Sequence, residues 1–168
     1  MLRKMVALHK NQEGATAIEF AVVAPVLFLL IFGIIEFGIL FATQSALEGA
    51  TNSAARTYKA QARDGNKGAD AGTIHNLITQ YSGGLVMPGS LRVVAKRLAN
   101  WGTSSMPKNS KKNRGRTGGT GDIMQYRIYY DYEIKTPFLS KIMGGKRGVM
   151  ALQASTVVQN EPSIGGGA

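Results

Sequence analysis

The hydrophobic and polar positions divide the chain into one long apolar segment and a mixed remainder. Residues 20–42 are apolar except for Glu36, and no Lys or Arg occurs between Ala15 and Gln44. A helix of this length spans roughly 30–35 Å, which matches the hydrocarbon core of a bilayer. A backbone in hydrocarbon must satisfy its own hydrogen bonds, and a buried helix of a soluble protein rarely stays apolar on every face. The segment is therefore predicted to be a membrane-spanning helix.

Beyond residue 42 the pattern narrows to a stripe of small and apolar side chains at helical spacing. Ala46, Ala50, Ala54 and Tyr58 lie four residues apart, and Leu47 lies beside them. This pattern predicts one long helix over residues 15–63, with its membrane part at about 20–42. We expect the stripe to pack inside the chain against the domain that follows.

The remainder predicts a small exported α+β domain over residues 64–160. Apolar positions in 71–81 indicate a short helix, with Asp70 as its N-cap. Partial or clear alternation indicates strands, at residues 91–98, 123–134 and 149–158. The fold class is thus α+β, with a long N-terminal membrane-spanning helix continuing into a domain with a short helix and a roughly three-stranded antiparallel sheet. Residues 161–168 are expected to form a flexible tail.

The charge distribution predicts an orientation in the membrane. The chain of 168 residues carries a formal net charge of +10. On the N-terminal side of the apolar segment lie Arg3, Lys4 and Lys10 against a single acid, Glu13. Because basic flanks stay on the cytoplasmic side, we expect a cytoplasmic N-terminus and an exported C-terminal domain.

The composition offers few of the residues that enzymes use for catalysis. The chain has no cysteine, which excludes a disulfide framework and a thiolate zinc site, and its histidines are His9 and His75. No nucleophile–histidine arrangement, P-loop or dinucleotide fingerprint is found. Asp131 and Glu133 share a strand face and are interpreted as surface acids. We predict no catalytic residue, no cofactor and no metal site.

A basic loop separates the first two predicted strands. Residues 101–121 contain no acid, and their basic residues and one tryptophan are candidates for holding an anion: Trp101, Lys108, Lys111, Lys112, Arg114 and Arg116. One hypothesis is a loop that binds DNA or an anionic surface polysaccharide. The other is a solvated hairpin loop, which we favour because basic loops are common in strongly basic proteins.

The junction before the apolar segment carries the most specific motif. Gly14 precedes Ala15, and Glu19 and Phe20 follow at the mouth of the apolar segment. This arrangement resembles the prepilin peptidase site of type IV pilins, in particular Flp-type pilins and pseudopilins of tight-adherence (Tad) systems. Together with a second Glu-Phe pair at residues 36–37, residues 14–56 resemble the TadE-like family of minor pilins. A signal peptide and a plain uncleaved anchor are the competing interpretations.

The resemblance implies a structural function. A prepilin peptidase would remove residues 1–14 as a leader, and Glu19 would meet the new N-terminal amine of a neighbouring subunit. The chain would be a minor pilin or pseudopilin, built into or priming a Tad-type pilus for surface adhesion. Its partners would be the bacterial inner membrane, the peptidase, other pilin subunits and the assembly platform. The alternative is a membrane-anchored, exported binding module that uses the basic loop.

Glu36 is a second acid inside the apolar segment, and it leaves two interpretations open. It either pairs with a group of another subunit during assembly or lies near the outer interface and reaches water.

Overall fold

The computed structural model describes residues 12–63, 71–102, 115 and 118–161, with side chains described for 14–59 of the first helix. Several predictions fall outside these residues: most of the leader, the Asp70 N-cap, the flexible tail beyond Glu161, and the five cations of the basic loop, Lys108, Lys111, Lys112, Arg114 and Arg116. The chain divides into two compact units, Met1–Gly38 and Ile39–Ala168.

The first unit is described from Gln12 onward as helix. Helix α1 comprises Gln12–Arg63 and continues through Pro25. Within the first unit nearly every large apolar side chain is exposed, including Phe20, Val22, Leu30 and Ile34. Gly14–Lys59 is the one stretch among the described residues that is long and apolar enough to cross a membrane. The predicted long apolar helix is therefore confirmed, and it is a candidate membrane span by its length and composition.

The second unit is an α+β arrangement, as predicted. After α1 come helix α2 (Ala71–Tyr81), strand β1 (Leu91–Leu98), strand β2 (Ile123–Glu133), helix α3 (Pro137–Met143) and strand β3 (Val149–Gln159). The three strands form one antiparallel sheet in the order β1-β2-β3. The bounds of α2 and β1 match the prediction, while β2 ends one residue earlier and β3 one residue later than predicted.

The core of the second unit lies between α1, α2 and one face of the sheet. Leu47, Ala50, Ala54 and Tyr58 of α1 are buried in it, whereas Ala46 is only half-buried. The predicted intramolecular stripe is therefore confirmed, apart from its first alanine. Alternate residues of β2 complete the core, and they are large: Met124, Tyr126, Ile128, Tyr130 and Tyr132.

The other face of the sheet is more polar. It carries Gln125, Arg127 and Asp131 on β2, and a small separate apolar pair, Val94 and Tyr129, lies between them. A residue pair on this face, Arg92 of β1 and Asp131 of β2, is joined across the strands.

Candidate functional site

The predicted processing junction, from Gly14 to Phe20, lies within helix α1. Side chains from Gly14 to Phe20 are all exposed, and the ring of Phe20 extends from the helix at 66% exposure. A Cβ built on Gly14 meets nothing within 4 Å. Packing among the described residues therefore does not require glycine at this position.

Glu19 lies one helical turn beyond Ala15 on the exposed surface of α1. Its neighbours Ile18, Phe20 and Val22 are large, apolar and exposed. A carboxylate on a surface of this kind is costly in lipid unless a cationic or donor group covers it. The geometry leaves the carboxylate accessible, and its predicted role in assembly stays a prediction.

Glu36 differs from Glu19 in its environment. Only 6% of its surface is exposed, although it lies in the apolar segment. It also takes part in an interaction within the chain. That arrangement disfavours a carboxylate reaching freely into water, and the predicted pairing with another subunit stays a prediction.

The described residues of the basic loop include one contact that the sequence did not predict, at Gly115. Trp101 is largely exposed just after β1, as a stacking residue would need to be. Gly115, in the middle of the loop, accepts a hydrogen bond from the backbone N–H of Ala71 at 3.1 Å. Its φ is +94°, and a Cβ there would overlap the carbonyl oxygen of Ala95. This point of the loop therefore lies directly against the domain. No contact of the described residues favours an anionic ligand for the loop.

The acids of β2 have basic partners. Arg92 donates two hydrogen bonds to Asp131, at 2.9 and 2.8 Å, which is the bidentate arrangement that guanidinium and carboxylate favour. These bonds lower the pKa of Asp131 and raise the pKa of Arg92. Glu133 accepts a hydrogen bond from Lys135 at 2.6 Å. Both carboxylates are thus in structural ion pairs, consistent with their interpretation as surface acids.

His75, in α2 of the second unit, also has hydrogen-bond partners. The Nε2 atom of His75 lies 2.9 Å from the carbonyl oxygen of Pro88, and Nδ1 lies 3.3 Å from the side-chain oxygen of Asn76. Among the described residues, no group of three or more His, Cys, Asp or Glu side chains is arranged to hold a metal ion.

Comparison with known proteins supports the junction motif. The family model described as TadE-like protein matches residues 14–56, which confirms the resemblance over that segment. The match begins at the predicted processing glycine and covers the exposed apolar part of α1 and most of its buried stripe. It links the chain to a family associated with Tad pili and leaves the α+β part from α2 onward uncovered. Neither a curated protein nor a solved structure matches the chain.

Proposed function

We propose that this chain, whose residues 14–56 match the TadE-like family, is a minor pilin or pseudopilin that is built into or primes a Tad-type pilus. In this proposal a prepilin peptidase cleaves after Gly14, and the chain itself performs no chemistry. The observation that carries the proposal is that the family match starts at Gly14, shortly before the exposed apolar segment of α1, with Glu19 directly before that segment.

The exposure of α1 supports a role in a helical assembly. Most of its large apolar side chains between residues 18 and 41 are exposed in the described chain, so they need lipid or other helices around them. A single-pass precursor in the bacterial inner membrane would have lipid as this cover. In a filament the same surface would pack against the corresponding helices of neighbouring subunits, where van der Waals contact replaces contact with lipid.

The N-terminal end of the cleaved helix would supply the two charges that align neighbouring subunits. Cleavage after Gly14 would place a charged amine on Ala15, four residues before Glu19. Both charges are expensive in an apolar environment when they are alone, and much less so when an amine meets the carboxylate of a neighbouring subunit. Pairing of this kind would favour a single axial register between subunits.

Processing is tested by replacing the glycine with a side chain. We expect Gly14→Ala to slow cleavage roughly tenfold or more and Gly14→Val to abolish it, because a protease pocket that fits glycine discriminates against added methyl groups. Mass spectrometry of the N-terminus of membrane-extracted protein measures this: the wild-type chain begins at Ala15, and the variants retain the residues before it.

Gly49→Ala is the matched control. A Cβ at Gly49, as at Gly14, meets nothing within 4 Å, and both positions lie within α1. We expect this variant to be processed like the wild type. A mature N-terminus at Ala15 in Gly14→Val, or a wild-type chain that keeps its leader, contradicts the proposal.

A further inference from the structure

Residues 134–148 connect β2 to β3, and this connection starts at the end of the second unit where α1 enters it. A cavity of about 180 Å³ is lined by Ile39 and Thr43 of α1, by Leu85 and Met87, and by the end of β2 from Tyr130 onward. At the other end of the unit, Lys59 of α1 faces Glu161 at 3.8 Å. The connection from residue 134 to residue 148 therefore begins where α1 enters the unit at Ile39.

This connection has a fixed backbone. The N–H of Gly144 donates to the carbonyl of Ser140 at 3.0 Å, and the N–H of Ile134 donates to the carbonyl of Gly148 at 3.0 Å. A Cβ at Gly144 would overlap the backbone of Gly148, so the turn after α3 closes more tightly than any other residue would allow. Leu139 packs against the core, whereas Phe138 and Ile142, which flank it on α3, remain exposed.

One exposed flank of α3 is apolar. Phe138 is 53% exposed and Ile142 is 64% exposed, and they lie four residues apart on one helical face. Other exposed apolar side chains occur at this end of the unit: Ile39 and Phe41 in α1, and Leu85 and Met87 beside the cavity. Clustered apolar exposure of this kind indicates a surface that is covered in the working protein.

The charged residues of the connection are all basic. From residue 135 to residue 148 they are Lys135, Lys141, Lys146 and Arg147, and no acid occurs. Lys135 is bound by Glu133 at 2.6 Å, and Arg147 lies close enough to Asp131 to lower its pKa. Lys141 and Lys146 are exposed and form no ion pair with any described residue. Two cations are thus available in the connection, Lys141 on α3 and Lys146 in the turn after it.

We propose that α3 and the turn after it, from Phe138 to Arg147, rest in the headgroup layer of the membrane on the exported side. Phe138 and Ile142 enter the boundary of the acyl chains, and Lys141 and Lys146 bind anionic phospholipid headgroups. The apolar run of α1 ends at residue 42, within this unit and at this end of it, so the lipid boundary lies where the cluster lies. The proposal requires that α1 spans the membrane, and it does not require cleavage after Gly14.

A single reporter can test the contact because the chain has no cysteine. Ile142→Cys, labelled with an environment-sensitive fluorophore, is reconstituted as the full chain in phosphatidylcholine vesicles with and without phosphatidylglycerol. With phosphatidylglycerol we expect a blue-shifted emission that nitroxide-labelled lipids quench at headgroup depth. Asn100→Cys is the control, since Asn100 is exposed beyond the end of β1. Its label is expected to stay accessible to iodide and unquenched by the lipids.

The charges are tested in the same chain. Lys141→Gln and Lys146→Gln each lower the ratio of docked to undocked Ile142 label by about fivefold in phosphatidylglycerol vesicles. Two outcomes overturn the proposal. In one, iodide, present on both sides of the vesicle, reaches the Ile142 label as easily as the Asn100 label. In the other, the Ile142 label is shielded from iodide without quenching by the lipids, which shows that protein, such as a second copy, covers α3.

Discussion

Tyr126 shows what a single buried group costs in this fold. It lies on the inner face of β2 with 1% of its surface exposed, and its hydroxyl has no hydrogen-bond partner among the described residues. Burial raises the pKa of this phenol, and the neighbouring Tyr58 raises it further. A buried hydroxyl without a partner costs about 1–3 kcal/mol, because it loses its hydrogen bonds to water.

We expect Tyr126→Phe to increase the free energy of unfolding by about 1 kcal/mol, because it removes only the unpartnered hydroxyl. The raised pKa adds a pH dependence. Below the ordinary phenol pKa of about 10, Tyr126 is neutral in both the folded and the unfolded chain, and the folded state keeps its full stability. As the pH rises above that value, the phenol ionises first in the unfolded chain, and the folded state loses stability. The variant should therefore lose part of the alkaline destabilisation. Thermal unfolding in detergent at neutral and alkaline pH measures both effects.

Tyr81→Phe is the control for Tyr126→Phe. Tyr81 is exposed, and its hydroxyl lies 3.5 Å from the hydroxyl of Thr57. Its removal should change neither the stability at neutral pH nor the alkaline transition appreciably. If the Tyr126→Phe variant is less stable than the wild type, the hydroxyl of Tyr126 has a hydrogen-bond partner in the wild-type protein.

At the scale of elements, α1 has two kinds of surface. Most of its large apolar side chains between residues 18 and 41 are exposed, with Leu40 an exception that lies in the core, and in its later part only one stripe is apolar and mostly buried. The alanines of the stripe let the helix approach the inner face of the sheet and α2 closely, and Leu47 fills the space between them with 0% exposure. The same helix therefore supplies an outer surface in one half and a core in the other.

We expect Leu47→Ala to reduce the free energy of unfolding by about 3 kcal/mol, because it removes buried methyl groups and leaves a cavity. Leu85→Ala removes the same atoms from a side chain that is 44% exposed, so it should cost well under half as much. Chemical unfolding of the second unit in detergent, followed by near-ultraviolet circular dichroism, compares the two. If both variants lose the same free energy of unfolding, the buried stripe of α1 contributes no more to stability than an exposed leucine does.

At the scale of the whole molecule, the two units need different surroundings. The apolar helix of the first unit presents its side chains outward and needs lipid or partner helices, whereas the second unit has its own core. A subunit of this composition suits a process in which a chain leaves the membrane for an assembly of similar helices. Glu19 is the group on which that exchange would depend.

Glu19→Gln should separate processing from assembly. Gln keeps the size of the side chain but cannot neutralise an amine in an apolar environment, so we expect normal cleavage after Gly14 and a loss of pili. N-terminal mass spectrometry of the membrane fraction measures cleavage, and the amount of pilus protein released by shearing measures assembly. The expected loss of assembled subunit is roughly tenfold or more, equivalent to about 1.4 kcal/mol.

Glu48→Gln is the matched control for this experiment. Glu48 is an exposed acid of the same helix, and its carboxylate accepts a hydrogen bond from Gln44 within the second unit. We expect normal cleavage and normal pili. Normal piliation in Glu19→Gln would contradict the proposed pairing of the carboxylate with an N-terminal amine, while leaving the processing prediction intact.

Much of the fold could be predicted because it is encoded locally. The apolar run, the small-residue stripe, α2 and the three strands each show a characteristic period within a short window, and the structure places them within a residue or a few of the predicted bounds. The junction from Gly14 to Phe20 is also local, which is why the residues alone show its resemblance to a pilin processing site. The sequence by itself therefore determined the class of fold, the membrane segment and the candidate site.

Only the tertiary structure decided which distant residues meet. The register that sets Arg92 opposite Tyr129 places its guanidinium diagonally across from Asp131, and a shift by one residue would turn it to the other face. The same long-range packing buries Tyr126 and brings Gly115 against Ala95. It also sets the exposed face of α3 at the end of the unit where α1 enters. Such contacts depend on how elements far apart in sequence pair, and no local pattern of polarity encodes that pairing.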